Sequence, residues 1–115
     1  MTEIWHNPRC SKSRETLALL NERGIEATVI PYLEQPPSTE KLLRAIMQLG
    51  GEPLALVRTK EALYKELQLA NQNLTAEQWA QLLHQHPKLI ERPLVIHQQQ
   101  AAIGRPPEAV LVLFQ

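Results

Sequence analysis

The sequence predicts an α/β domain in which a βαβ unit and a ββα unit flank a block of helices. Three observations predict it. Two short strand-like runs bracket a helical pattern near the N-terminus, strongly apolar helical patterns fill the middle, and two short apolar runs enclose a polar stretch shortly before a Pro-Pro-Glu sequence. The 115 residues are expected to form one domain over 1–115, because domains typically hold roughly 100–150 residues and two halves would be too small to bury separate cores.

The first strand is expected at residues 2–5, Thr-Glu-Ile-Trp, stopped by His6-Asn7-Pro8, since proline cannot donate to a strand ladder. Helical spacing follows from Ser11 to Arg23, with Leu17, Leu19 and Leu20 as its apolar stripe and Gly24 as its left-handed terminator. Cys10 is therefore expected at a helix N-terminus. Ala27 to Ile30 reads as a second strand, parallel to the first because a strand–helix–strand crossover of this kind is right-handed and parallel. Pro36-Pro37-Ser38 opens a helix carrying Leu42, Leu43, Ile46 and Leu49 and ending at Gly50-Gly51. Thr59 is placed to cap a short helix running to about Leu67. Thr75 and Gln78 have capping-box spacing for a helix through Gln85, with Leu74 and Trp79 as a hydrophobic staple and Pro87 closing it. A helical block thus occupies about residues 38–86. Leu94-Val95-Ile96 and Ala101-Ala102-Ile103 predict an antiparallel hairpin, and Pro106-Pro107-Glu108 starts a last helix with Val110, Leu111 and Phe114 as core residues.

This order is that of a thioredoxin-like three-layer domain with a helical insertion between its βαβ and ββα halves. The composition fits: 43% hydrophobic and 21% charged residues are near the globular average. Twelve basic residues balance twelve acidic ones, so the chain lacks the positive field that binding to nucleic acid draws on. No apolar run approaches the ~20 residues that span a bilayer, and Met1 to Arg9 lacks the features of a signal peptide. The expectation is a cytoplasmic protein with neither a nucleic acid nor a membrane as partner.

The single cysteine, Cys10, excludes an internal disulfide and any zinc site built on several thiolates. A buried, inert thiol is the commoner fate of a lone cysteine. Here the neighbours are Arg9, Ser11, Lys12 and Ser13, and a helix start presents unpaired N–H groups and partial positive charge that favour a thiolate and a bound oxyanion. Arg9, Lys12 and Arg14 are expected to depress the thiol pKa, Arg14 from the same side of the helix. Ser11 and Ser13 read as capping groups. His84 and His86 stand two apart, so they diverge on a helix and no acidic or thiol cluster completes a metal site.

The run His6-Asn7-Pro8-Arg9-Cys10-Ser11-Lys12-Ser13-Arg14 resembles the active-site loop of the glutaredoxin-coupled arsenate reductase family. Leu56-Val57-Arg58-Thr59-Lys60, His86-Pro87-Lys88-Leu89-Ile90-Glu91-Arg92-Pro93 and Gly104-Arg105-Pro106-Pro107-Glu108 resemble its other arginine-bearing segments, in order and spacing. The resemblance implies Cys10 as nucleophile and Arg58, Arg92 and Arg105 as oxyanion ligands, with Arg14 beside them. It implies no bound cofactor, glutathione as co-substrate and glutaredoxin as partner. It also implies a cis peptide bond before Pro93. His6 has two readings: the resemblance implies an active-site residue that tunes the thiol, while a histidine in a turn often bonds only to nearby backbone. Each arginine also has a surface reading, through ion pairs or a helix end. Guanidinium forks match tetrahedral oxyanions, and Arg105 at a helix start opposes the dipole unless an anion lies between. Two further functions stay open. Cys10-Ser11-Lys12-Ser13 also reads as the Cys-x-x-Ser of a monothiol glutaredoxin-like transferase, and the superfamily includes non-catalytic regulators, against which Ser13 in place of a second cysteine counts.

Overall fold

The computed structural model describes residues 1–115. They divide into two compact units, one made of Met1–Gln35 with Arg92–Gln115 and the other of Pro36–Glu91.

The first unit is a four-stranded mixed sheet with helices. Strands β1 (Thr2–Trp5), β2 (Thr28–Ile30), β3 (Leu94–His97) and β4 (Gln100–Ile103) lie in the order β2-β1-β3-β4. β1 and β2 run parallel, as the crossover through helix α1 (Ser11–Glu22) requires, whereas β1–β3 and β3–β4 are antiparallel. The expected strands and hairpin are present, and Gly24 ends α1 at φ +70°. This is the thioredoxin-like α/β fold. Alternation along the strands sends Ile4 and its partner Val95 to one face, where Leu20 of α1 and Val110 and Leu113 of the C-terminal segment complete a cluster. Trp5 and its partner Leu94 are fully buried on the other face.

Two elements of this unit differ from expectation. Along α1 the buried side chains are Ser13, Thr16 and Leu20, while Leu17 and Leu19 are half-buried. The inner face of its first half is thus polar, and it serves the loop before it. Thr16 satisfies its hydroxyl by donating to the Lys12 carbonyl, 2.7 Å away. The last helix, Pro107–Phe114, is 3₁₀. With three residues per turn, Pro107, Val110 and Leu113 fall on one side and are its buried residues; of the other expected core residues, Phe114 is half-buried and packs against the same cluster, whereas Leu111 is half-buried outside it.

The bonds before Pro93 and Pro106 are both cis. Pro93, at the head of β3, lies against Gly104 at the end of β4. A Cβ on Gly104 would collide with Oγ1 of Thr16 and stand 2.8 Å from Cγ of Pro93, so only glycine fits between α1 and the β3–β4 ends.

The second unit is helical: α2 (Thr39–Gln48), α3 (Ala62–Glu66) and α4 (Ala76–Gln85), with 3₁₀ turns at Pro53–Leu56, Leu69–Asn71 and Pro87–Leu89. Ser38 caps α2 through the Lys41 amide, and Thr75 and Gln78 form the expected reciprocal capping box on α4. Leu42, Ala45 and Ile46 of α2 and Trp79, Ala80 and Leu83 of α4 form buried faces at helical spacing. α3 begins later than expected: Glu61 is its N-cap, because Thr59 lies inside a turn closed by the Glu61 amide on the Arg58 carbonyl at 3.1 Å. No helix is long and apolar enough to cross a membrane.

Candidate active site

Cys10 is the N-cap residue of α1, extended at φ −95°, ψ 121°. Asn7 and Ser13 build the loop that delivers it there. The Cys10 amide donates to the Asn7 carbonyl at 3.0 Å, the Arg9 amide to Asn7 Oδ1 at 3.0 Å, and the Asn7 amide to Ser13 Oγ at 3.0 Å. His6 Nδ1 lies 2.6 Å from the same Ser13 hydroxyl. Buried Ser13 therefore ties the end of β1 to the first turn of α1, a role different from the capping expected of it. Ser11 is exposed. Burial, and secondarily the charge of Arg14, holds the His6 imidazole pKa below its usual value, so the ring is neutral at pH 7. The signal for Ser13 in the sequence is its position, three residues after the N-cap on the side that faces the strand end.

Cys10 as a residue is 7% exposed. Burial is the largest influence on it and pushes its pKa up. A hydrogen bond from Arg92, the Ser13 backbone N–H and the charges of Arg92 and Arg105 act the other way and together bring the thiol below its ordinary value. The Ser13 amide favours the thiolate although the cysteine makes no closed capping bond. Arg105 Nη2 stands 3.5 Å from Sγ, and its Nε donates to the Arg92 carbonyl at 2.8 Å. Backbone thus anchors the second guanidinium beside the first, with Gly104 bonded to the Pro93 carbonyl at 2.9 Å holding the two arginine-bearing segments together.

These cations are not the ones adjacent in sequence. Lys12 pairs with Glu15 at 3.5 Å, Arg14 donates to the Pro8 carbonyl at 2.9 Å, and Arg9 is exposed. None of the three is among the groups that lower the thiol, contrary to the expectation for all three. Arg58 belongs to the second unit, where its Nη1 contacts Glu61 Oε2 at 2.9 Å and its Nε lies 3.8 Å from Glu91 Oε1. His84 Nδ1 donates to the Pro37 carbonyl at 2.7 Å, and no group of three His, Cys, Asp or Glu side chains is assembled that could hold a metal ion.

A thiol below its ordinary pKa and two guanidinium groups can hold a tetrahedral anion against a nucleophile. If Arg92 and Arg105 set this balance, alkylation of Cys10 by iodoacetamide followed against pH should show a midpoint below the free-thiol value of about 8.5. A midpoint at or above that value would show that burial outweighs the arginines.

Fold and site define a thioredoxin-like protein with a single cysteine beside two guanidinium groups. The ArsC family model matches residues 5–113, and the chain belongs to the ArsC family. It is 51% identical to an uncharacterized protein of Escherichia coli K12, YfgD, over 95% of this chain and 92% of that one. It is 46% identical to an arsenate reductase of Neisseria meningitidis serogroup A over 94% and 93% of the two chains. The solved structure of an arsenate reductase from Vibrio cholerae superposes with a TM-score of 0.93 at 53% identity, covering 97% of this chain and 96% of that one.

Proposed function

We propose that the protein reduces arsenate, or an oxyanion of the same shape and charge, through a covalent adduct on Cys10. The observation that carries this reading is the convergence of Arg92 and Arg105 on the Cys10 sulfur in a member of the ArsC family. The Cys10 thiolate attacks arsenic(V) and water leaves, forming a sulfur–arsenic bond. Arg92, Arg105 and, by resemblance, Arg58 bind the oxygens and neutralise charge as the adduct forms. The chain has one cysteine, so the two reducing thiols must come from outside. Glutathione adds to the arsenic with loss of a second water, and a glutaredoxin thiol then attacks the glutathione sulfur. The mixed disulfide leaves, its electron pair reduces the arsenic to the trivalent state, and hydrolysis frees arsenite and Cys10. No bound cofactor enters this scheme, and the cytoplasm supplies the reduced thiol pool it needs. His6 acts through Ser13, fixing the loop that presents the sulfur, and Arg14 would have to leave the Pro8 carbonyl to reach the anion.

The deciding experiment measures arsenite formed from arsenate by the intact chain with glutathione and glutaredoxin, each omitted in turn. Arsenite should appear only when both are present. Turnover of glutathione mixed disulfides with no arsenite formed would favour the monothiol transferase, a chemistry with no need of the paired guanidinium groups.

A further inference from the structure

The second unit contains a charged cluster around Arg58 whose two carboxylates, Glu61 and Glu91, the scheme above does not use. Val57 and Ile90 form an isolated antiparallel bridge, framed by the Arg58 amide on the Leu89 carbonyl and the Glu91 amide on the Leu56 carbonyl, each at 2.8 Å. Leu56, Val57, Leu89 and Ile90 are all buried, so the backbone carrying Arg58 and Glu91 is fixed from beneath. The turn that closes Glu61 onto Arg58 then sets the third member. On this frame the Glu61 carboxylate accepts from Arg58 Nη1 at 2.9 Å while the Glu91 carboxylate flanks Nε at 3.8 Å. Both ends of the pair are about one-quarter exposed, 25% for Arg58 and 24% for Glu61, which sets it apart from a freely solvated surface pair. The two carboxylates engage Nη1 and the Nε side of the guanidinium and leave the Nη2 hydrogens for another acceptor.

We infer that Glu61 is a positioning residue for Arg58, holding its guanidinium in one orientation through the contact with Nη1. This rests on the reading of Arg58 as an anion ligand. An untethered arginine pays rotamer entropy each time it orders around a ligand, and a guanidinium already fixed by its neighbour does not. The opposite sign is physically available, since a carboxylate beside an arginine also competes with an anion for it. The turn and the bridge fix the backbone of Arg58, Glu61 and Glu91, which favours orientation over competition.

A mutant cycle in the arsenate assay decides. Glu61→Ala should lower kcat/KM about tenfold, mainly through KM, because a misdirected ligand weakens binding of the anion. Glu61→Gln keeps an acceptor for Nη1 and should recover activity to within about threefold of the parent, a rescue that a general stability effect would not produce. In an Arg58→Ala background, Glu61→Ala should have no further effect. Parental activity of Glu61→Ala alongside an impaired Arg58→Ala overturns the positioning role and leaves the anion-ligand reading standing. Parental activity of Arg58→Ala overturns both. A gain of activity in Glu61→Ala shows competition instead of positioning, and a loss that persists without Arg58 shows that Glu61 acts elsewhere; either overturns the inference.

Discussion

Replacing Cys10 with serine should abolish arsenate reduction and leave the fold in place. The two halves of this expectation come from the same geometry. Cys10 occupies the N-cap of α1 without closing a capping bond, and serine is among the most favoured N-cap residues because its hydroxyl oxygen accepts readily from the amide two or three residues on. The Ser13 N–H already faces that side chain. The smaller oxygen removes little packing from a side chain flanked by the Ser13 N–H and two guanidinium groups, so the thermal midpoint should hold or rise, with a stability change within about 1 kcal/mol. The chemistry has no such tolerance. A serine hydroxyl stays protonated where a thiol beside two guanidinium groups ionises, and oxygen cannot enter the thiol exchange that carries electrons to arsenic. Arsenite formation should fall by at least about a thousandfold, as the loss of a covalent nucleophile does in other enzymes. Thermal unfolding and the arsenite assay together check it. Residual turnover near the parental rate in the folded variant would remove the covalent mechanism.

What the sequence made legible was whatever depends on near neighbours. The capping box of Thr75 and Gln78, the terminator Gly24 and the position of Cys10 at the head of α1 are all set by residues within a turn of each other, and each stands where spacing puts it. The errors share the converse origin. Arg9, Lys12 and Arg14 crowd Cys10 in sequence, yet a helix start fans its first side chains outward, so Lys12 reaches Glu15 and Arg14 reaches Pro8. The groups that act on the sulfur come instead from both sides of the β3–β4 hairpin, and without the family resemblance no local pattern marks them. The C-terminal helix shows a subtler limit. Val110, Leu111 and Phe114 suit a period of 3.6, but Pro107, Val110 and Leu113 suit a period of 3.0 equally well, and packing against Ile4 and Val95 selects the second. Buried Ser13 and Thr16 likewise obscured the inner face of α1, because small hydroxyl residues read as solvent-facing until their hydrogen-bond partners are known.

Arg92→Ala and Arg105→Ala should each reduce kcat/KM for arsenate by about ten- to a hundredfold, and they should differ in what they do to the thiol. Each guanidinium that binds the substrate contributes charge-assisted hydrogen bonds worth about 1.5–3 kcal/mol, which converts to that range of rate loss. On the free enzyme the two are unequal. Arg92 lowers the Cys10 thiol by a hydrogen bond and by its charge, whereas Arg105, with its Nη2 3.5 Å from Sγ, lowers it by its charge and to a smaller extent. With either arginine gone, the burial that pushes the thiol up is less opposed, so its pKa rises and the thiolate fraction at a given pH falls. The alkylation midpoint should therefore move to higher pH in both variants, and further in Arg92→Ala. The anchor between them sharpens the contrast: Arg105 Nε is held by the Arg92 carbonyl, a backbone group that Arg92→Ala retains, so this substitution removes one guanidinium and leaves the other tethered. Arg→Lys at either position should restore part of the charge effect on the alkylation midpoint but less of kcat/KM, because a point charge cannot reproduce the planar fork. Measuring alkylation and steady-state kinetics on the same variants separates the two roles. An unmoved midpoint in Arg92→Ala would show that Arg92 does not set the thiol, and kinetics within about twofold of the parent in both alanine variants would leave the arginines surface roles only.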